Sequence, residues 1–440
     1  MSHVAAASGG TSEAAPYAIE MQAKCLAAVP SAGTHSGGEG GQLSPSHAFL
    51  VGSNAPRGTN RLYLLEYREE PHLVDCIAVW DHAEPICAMS VAAQESGGGP
   101  GAATRVLVAA CHQSVAGAPM ATFEVIRLSS DLVGDVEPLL QIRLDARSPC
   151  IAWQPVGLSG GATVDSIGSC VLAARNSIYR LPIAQLAGAA KTASFTMGVP
   201  NNATALPVTT LDSIPDRCAM PTAIETIHSI TCDPHHKDIV AVAADTSLVI
   251  ADLRAKQAQL HAAHAPHRLA LRSVDYNPNR IYVVATCGDD GQIKVWDLRK
   301  AGASVSGGAG GSAGGDRMVA LASHQGHDHR ATCVRYNPSH DELLLSGGVD
   351  QLCRLWCLSS LSSKPLSSVS SGVDGAPPAT ASTRASKDGV IRSLTDVGET
   401  VTSVAWSSSD PWVYAVCGFN GRVFIDRVPD ESRLEVLMGE

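Results

Sequence analysis

Histidine and aspartate are the residues from which chemistry would start in this 440-residue chain. His261, His264 and His267 recur every three residues, and His324, His327 and His329 form a second cluster. Neutral imidazole is a common metal ligand. Spacing of three in a loop is not diagnostic, however, and no carboxylate or cysteine completes either set. Asp289 and Asp290 are adjacent carboxylates of the kind general acid–base catalysis uses, but parallel segments carry a single Asp or an Asn in their place. Trp296 and Trp356 would serve as binding aromatics if exposed, yet they share one register, which reads as core. The serines form no Gly-x-Ser-x-Gly elbow, and Gly307–Gly315 lacks the Lys-Ser/Thr of a phosphate loop. No catalytic set, cofactor site or metal centre is expected.

The register shared by these residues is the stronger signal. Val274-Asp275-Tyr276-Asn277-Pro278 leads to Gly288-Asp289-Asp290-Gly291 and then Ile293-Lys294-Val295-Trp296. Val334-Arg335-Tyr336-Asn337-Pro338 leads to Gly348-Val349-Asp350-Gln351 and then Arg354-Leu355-Trp356. Proline to aspartate is 12 residues in both, and proline to tryptophan is 18 in both. Equal offsets over three landmarks mean one structural unit used again. Weaker copies start at Val404-Ala405-Trp406, Ile230-Thr231-Cys232 and Ile151-Ala152-Trp153, and Asn420-Gly421 recurs at the turn position. Alternating β-branched runs bounded by Asn-Pro, Asp-Gly and Asn-Gly predict short antiparallel strands. No run shows a 3.6-residue period of helical length.

Bulk composition agrees with a large, aromatic-poor core: 45% hydrophobic residues but only 4% aromatic. The net charge of −10 is spread along the chain, and no basic footprint for nucleic acid is visible. Thirteen cysteines, odd in number and without a CxxC pair, read as buried thiols in a reducing compartment. No signal-peptide core and no 18-residue apolar run is present, so a cytoplasmic protein without direct membrane insertion is expected.

The repeat resembles the WD40 unit, one four-stranded antiparallel blade of a β-propeller. Trp296-Asp297 is the eponymous dipeptide, and Gly326-His327 precedes Val334 where that family has its Gly-His. The fold class expected is all-β, a seven-bladed WD40 β-propeller. The resemblance implies a buried hydrogen-bond relay in the best blades, with His267, Asp290 and Trp296 in one and His327, Asp350 and Trp356 in the next. Residues 1–16 read as a disordered tail before a single propeller over 17–437. Its blades span about 17–80, 85–146, 148–211, 223–261, 268–321, 331–395 and 401–437. Within the first, Tyr17–Lys24 is the opening strand; Arg433–Leu437 supplies the fourth strand of the last. No strand is then left to exchange between the ends, and closure rests on packing of blade one against blade seven. Gly/Ser/Ala-rich insertions, including flexible inserts 301–315 and 359–388, mostly join first to second or third to fourth strands. They therefore decorate one face, with His112–Ala118 the exception on the other, either as drift in tolerant loops or because the trimmed face is held clear for a docking partner.

The resemblance deepens at particular words: Tyr17–Lys24, Asp275-Tyr276-Asn277-Pro278-Asn279, Val334–Leu343, Trp406–Trp412 and Arg427-Val428-Pro429. Together they are similar to the EARP- and GARP-complex-interacting proteins, seven-bladed WD-repeat proteins. That likeness implies a non-enzymatic factor that associates with the EARP and GARP tethering complexes. It implies action in endosomal recycling and endosome-to-trans-Golgi retrograde transport, and peripheral association with endosomes and the trans-Golgi network. It assigns no tether-binding residue. A different class of function is suggested by Trp296-Asp297-Leu298-Arg299, which fits the WD-x-R box of cullin-4 ubiquitin-ligase substrate receptors. Ala251-Asp252-Leu253-Arg254 is a degraded second box, and there Arg254 and Arg299 would contact the ligase adaptor.

Overall fold

The computed structural model describes residues 14–30, 46–82, 84–95, 104–113, 121–128, 132, 134, 136–144, 149–154, 169–183, 185–186, 208–210, 214, 216–258, 267–300, 320–363 and 388–438. The strands gather into seven sheets, the blades of a propeller. Blade one is built from Ala23–Ala28, Ser46–Ser53, Asn60–Arg68 and Leu73–His82; blade two from Ile86–Glu95, Thr104–Gln113, Ala121–Leu128 and Glu137–Leu144. Blade five, Leu271–Tyr276, Val283–Gly288, Gln292–Asp297 and Ala320–Gln325, and blade six, Ala331–Tyr336, Leu343–Gly348, Cys353–Cys357 and Gly389–Leu394, carry the twin repeats. In six of seven blades the two innermost strands shift register near the start of the first, as between Leu271 and Ser273 or Ala331 and Cys333. Such bulges add local twist.

Because the middle strands of a blade are covered on both faces, their sequences read as near-continuous apolar runs. Val283–Gly288 and Val413–Gly418 are buried at every position. Among the described residues the core falls into seven apolar clusters, each joining two neighbouring blades. Small and branched side chains dominate them, as the aromatic-poor composition requires.

Closure differs from the sequence expectation. Ala15–Ala18 does not open blade one; it pairs antiparallel with Arg422–Arg427 as the outer strand of blade seven, Ala15 opposite Ile425 and Ala18 opposite Arg422. Ala15 and Pro16 thus belong to the propeller and not to a tail. The chain then bends at Glu20-Met21 and enters blade one at Ala23. Ile19 N–H donates to the Gly421 carbonyl at 3.0 Å and Ala23 N–H to the Phe419 carbonyl at 3.2 Å. Arg433–Leu437 is not a strand either. Asp430–Met438 forms a helix, α1, whose first turn carries Asp430 and Glu431, where negative charge favours the N-terminal end. Arg433 lies over the Trp412 ring at 5.3 Å and Val436 is buried, which docks α1 on blade seven.

Two further departures lie in the middle of the chain. Val208–Thr210, inside the span read as blade three, pairs parallel with Glu137–Leu144 at the outer edge of blade two. Blade three is completed instead by Arg217–Ala219. Covering an exposed edge removes a row of unpaired backbone groups. Blade four has three strands among the described residues, with Gln257 bridging in parallel to Ala219 of blade three.

Candidate functional site: relays, exposed arginines and a histidine–glutamate cluster

In blade five the relay converges on Thr286. His267 Nδ1 lies 2.7 Å from Asp290 Oδ1, His267 Nε2 lies 2.9 Å from Thr286 Oγ1, and Trp296 Nε1 donates to the same hydroxyl at 2.8 Å. Blade six repeats the arrangement through Ser346. His327 Nδ1 is 2.9 Å from Asp350 Oδ1 and Nε2 is 2.8 Å from Ser346 Oγ, while Trp356 Nε1 donates to Ser346 at 2.9 Å. The histidine rings are fully buried and the aspartate side chains 6–7% exposed. Asp290 also accepts from the backbone N–H groups of Arg268 and Gln292, both at 3.2 Å. Burial pushes the Asp290 carboxyl up, but His267 and those amides outweigh it and hold the group below its ordinary range. Burial is the larger influence on His327 and lowers it against the pull of Asp350. All hydrogen-bonding groups face inward, which makes each relay a staple between strands and not an open site.

Thr286 and Ser346 were not singled out by number from sequence, although both stand ten residues before the tryptophan. The Asn-Pro words have a separate cause: Asn277 Oδ1 accepts from the N–H of Asn279 and Arg280, and Asn337 Oδ1 from Ser339 and His340. These local turns aim each chain into its second strand. Of the other histidines, His261 and His264 lie outside the described residues, His329 is exposed, and His324 sits 5.6 Å from the Trp356 ring. Asp289 does not join Asp290 in one site; it forms a two-pronged pair with Arg272, 2.6 Å at each prong.

Arg254 and Arg299 occupy matching places after the third strands of blades four and five. Each is gripped by the aspartate two residues before it: Arg254 Nε to Asp252 Oδ1 at 2.9 Å, and Arg299 Nε to Asp297 Oδ1 at 2.9 Å. Their side chains are 69% and 60% exposed. Arg299 also lies 5.9 Å over the ring of Tyr282, itself 40% exposed.

The inserts at 301–315 and, apart from its flanks, 359–388 lie outside the described residues. Their flanking strands are described: 301–319 joins the third and fourth strands of blade five, and 364–387 those of blade six. Alternating strand direction makes such connections leave the same face as the first-to-second connections at 31–45 and 96–103.

A cluster that sequence reasoning missed sits between blades one and two. His82, His112 and Glu124 bring their ligating atoms within 4.8 Å of one another. The two imidazoles stack at 3.8 Å, and Glu124 Oε1 stands 3.0 Å from Nε2 of each. Burial would raise the Glu124 carboxyl, but the two histidines hold it down at about 2. Burial lowers His112, whereas at His82 the carboxylate overcomes burial and the net shift is upward. Forty-two residues separate His82 from Glu124, so no spacing rule connects them.

Residues 217–356, which contain both relays' acids and both WD-x-R arginines, match the EIPR1 β-propeller family, and 385–425 match the WD-domain G-beta repeat. Over this region the chain is similar to the EIPR1 β-propellers. Similar proteins include EARP and GARP complex-interacting protein 1 of Rattus norvegicus, 33% identical over 210 residues, covering 47% of this chain and 50% of the relative. EARP-interacting protein 1 of Caenorhabditis elegans is 30% identical over 210 residues, 48% of this chain and 53% of the relative. WD repeat-containing protein DWA2 of Arabidopsis thaliana is 33% identical over 198 residues, 44% and 48%. The chain spans about half the length of the relatives it matches.

Proposed function

We propose that this WD40-type propeller is a non-enzymatic scaffold that associates with the EARP and GARP vesicle-tethering complexes. In this reading it acts in endosomal recycling and endosome-to-trans-Golgi retrograde transport, held peripherally at those membranes from the cytoplasm. The observation that carries the reading is the match over the best-formed blades to proteins named for interaction with those complexes. The relays support it by a different route. Residues that first suggest chemistry are consumed in holding strands together, which suits a rigid platform. Among the described residues no helix is long and apolar enough to cross a membrane, so a partner would recruit the protein.

Affinity purification of the tagged full chain from its own cells, followed by mass spectrometry, tests the proposal. Recovery of tethering-complex subunits is the expected outcome; their absence contradicts it. The second reading, a cullin-4 ligase substrate receptor, is favoured by one feature only. Arg254 and Arg299 are both exposed and preset by bidentate pairs with their own aspartates. Recovery of the ligase adaptor, lost on Arg299→Ala, would support that role.

A further inference from the structure

We propose that His82, His112 and Glu124 form a binding site for a divalent transition-metal ion, zinc by ligand preference, bridging blades one and two. His82 ends the outer strand of blade one, while His112 and Glu124 lie on neighbouring strands of blade two. Because Ala110 pairs with Glu124 and His112 with Thr122, the last two are diagonal neighbours on one sheet face. Glu124 Oε1 is 3.0 Å from both Nε2 atoms. His82 Nδ1 stands 2.9 Å from the Glu84 carbonyl oxygen. The Glu84 N–H nitrogen stands 3.2 Å from the same Nδ1; in the tautomer that donates to the carbonyl, the Nε2 lone pair turns toward the cluster, as it does for a metal-bound imidazole held by an outer-shell carbonyl.

The independent observation is His112. The residue is 1% exposed; its Nε2 stands 3.0 Å from the Glu124 carboxylate, and neither ring nitrogen makes a well-formed hydrogen bond among the described residues. A buried polar group that is poorly matched is costly, and a cation between the three groups would take the Nε2 lone pair and the Glu124 carboxylate together. A cavity of about 430 Å³ opens onto the cluster, lined also by Trp80, Asp81 and Val108, and leaves room for a water in the fourth position of a tetrahedral ion. Zinc–ligand bonds of about 2.0–2.1 Å place tetrahedral ligands about 3.3 Å apart, so the trio needs to open by a few tenths of an ångström. The stacked rings must also turn for both lone pairs to converge. Two imidazoles and one carboxylate suit zinc better than calcium or magnesium. The comparable group His47, Glu69 and Asp410 is set aside, because His47 already faces Ser407 and Ser409 at Nδ1 and Glu69 at Nε2.

The inference is independent of the tethering role. Its test is calorimetric titration of the EDTA-treated full chain with zinc chloride, paired with visible absorption of the cobalt(II) form. The expected result is one equivalent bound, with cobalt ligand-field bands and no thiolate charge-transfer band. Glu124→Gln and His82→Gln, each confirmed folded by circular dichroism, weaken binding at least tenfold. Absence of binding by the wild-type chain overturns the proposal. So does binding that both variants leave unchanged, or a cobalt spectrum that reports thiolate ligands.

Discussion

A single hydroxyl joins the histidine and the tryptophan of each relay. Thr286 meets His267 and Trp296 at once, so Thr286→Val strands two buried donors or acceptors while keeping the side-chain shape. Leaving a buried group unmatched costs about 1–3 kcal/mol, and thermal unfolding of the variant is expected to show a loss in that range. Asp290→Ala, which also frees the Arg268 and Gln292 amides, is expected to fall in the same range, with coupling to Thr286→Val in a double-mutant cycle. The relays also set a pH dependence. His327 is lowered in the folded protein, so the unfolded chain takes up that proton first. Its stabilisation is present above about pH 6.5, the ordinary histidine value, and fades as pH falls below it. Asp290, also lowered, adds a loss at more acid pH, below the ordinary carboxylate range. Denaturation midpoints between pH 7 and 5 are therefore expected to fall, and His327→Gln to flatten that slope.

At the scale of the element, the glycine of each turn has a reason beyond its own conformation. Gly421 has φ +81°, and a Cβ there would collide with the Ile19 and Met21 carbonyls of the chain crossing into blade one. Gly291, φ +70°, meets the His327 and His329 carbonyls where the chain crosses into blade six. Gly421→Ala is therefore expected to lower the melting midpoint more than an exposed substitution would. Gln351 holds the same turn position with φ 68°, a conformation that costs a side chain about 1–2 kcal/mol. Gln351→Gly is expected to be neutral or mildly stabilising in the same assay.

These elements also show why some of the fold was legible in the sequence and some was not. Blades five and six could be read because the relay demands fixed residue types at fixed offsets. Tyr17–Lys24 read as one strand because its alternation hides the bend at Glu20-Met21, and its pairing with Arg422–Arg427 is a contact across nearly the whole chain. Arg433–Leu437 alternates like a strand, but the acidic first turn of α1 and the stacking of Arg433 on Trp412 decide for a helix. The His82, His112 and Glu124 cluster was hidden for the same reason as closure. Its members meet only when one blade packs against the next.

On the scale of the molecule, the seven inter-blade clusters make every blade depend on two neighbours. Ala15–Ala18 turns the last junction into a covalently continuous one, since the strand that finishes blade seven runs on into blade one. A chain lacking residues 1–21 would expose the edge of Arg422–Arg427, a template for pairing with another chain. Its unfolding midpoint is expected to drop and its apparent mass in light scattering to rise. A closed ring is what a docking platform needs, and association with the tethering complexes is the account's central claim. Co-elution of the purified full chain with purified EARP complex in size-exclusion chromatography tests it most directly. The account predicts a stable complex that persists in the Arg254→Ala/Arg299→Ala double variant; separate elution of a folded chain and an intact complex would contradict it.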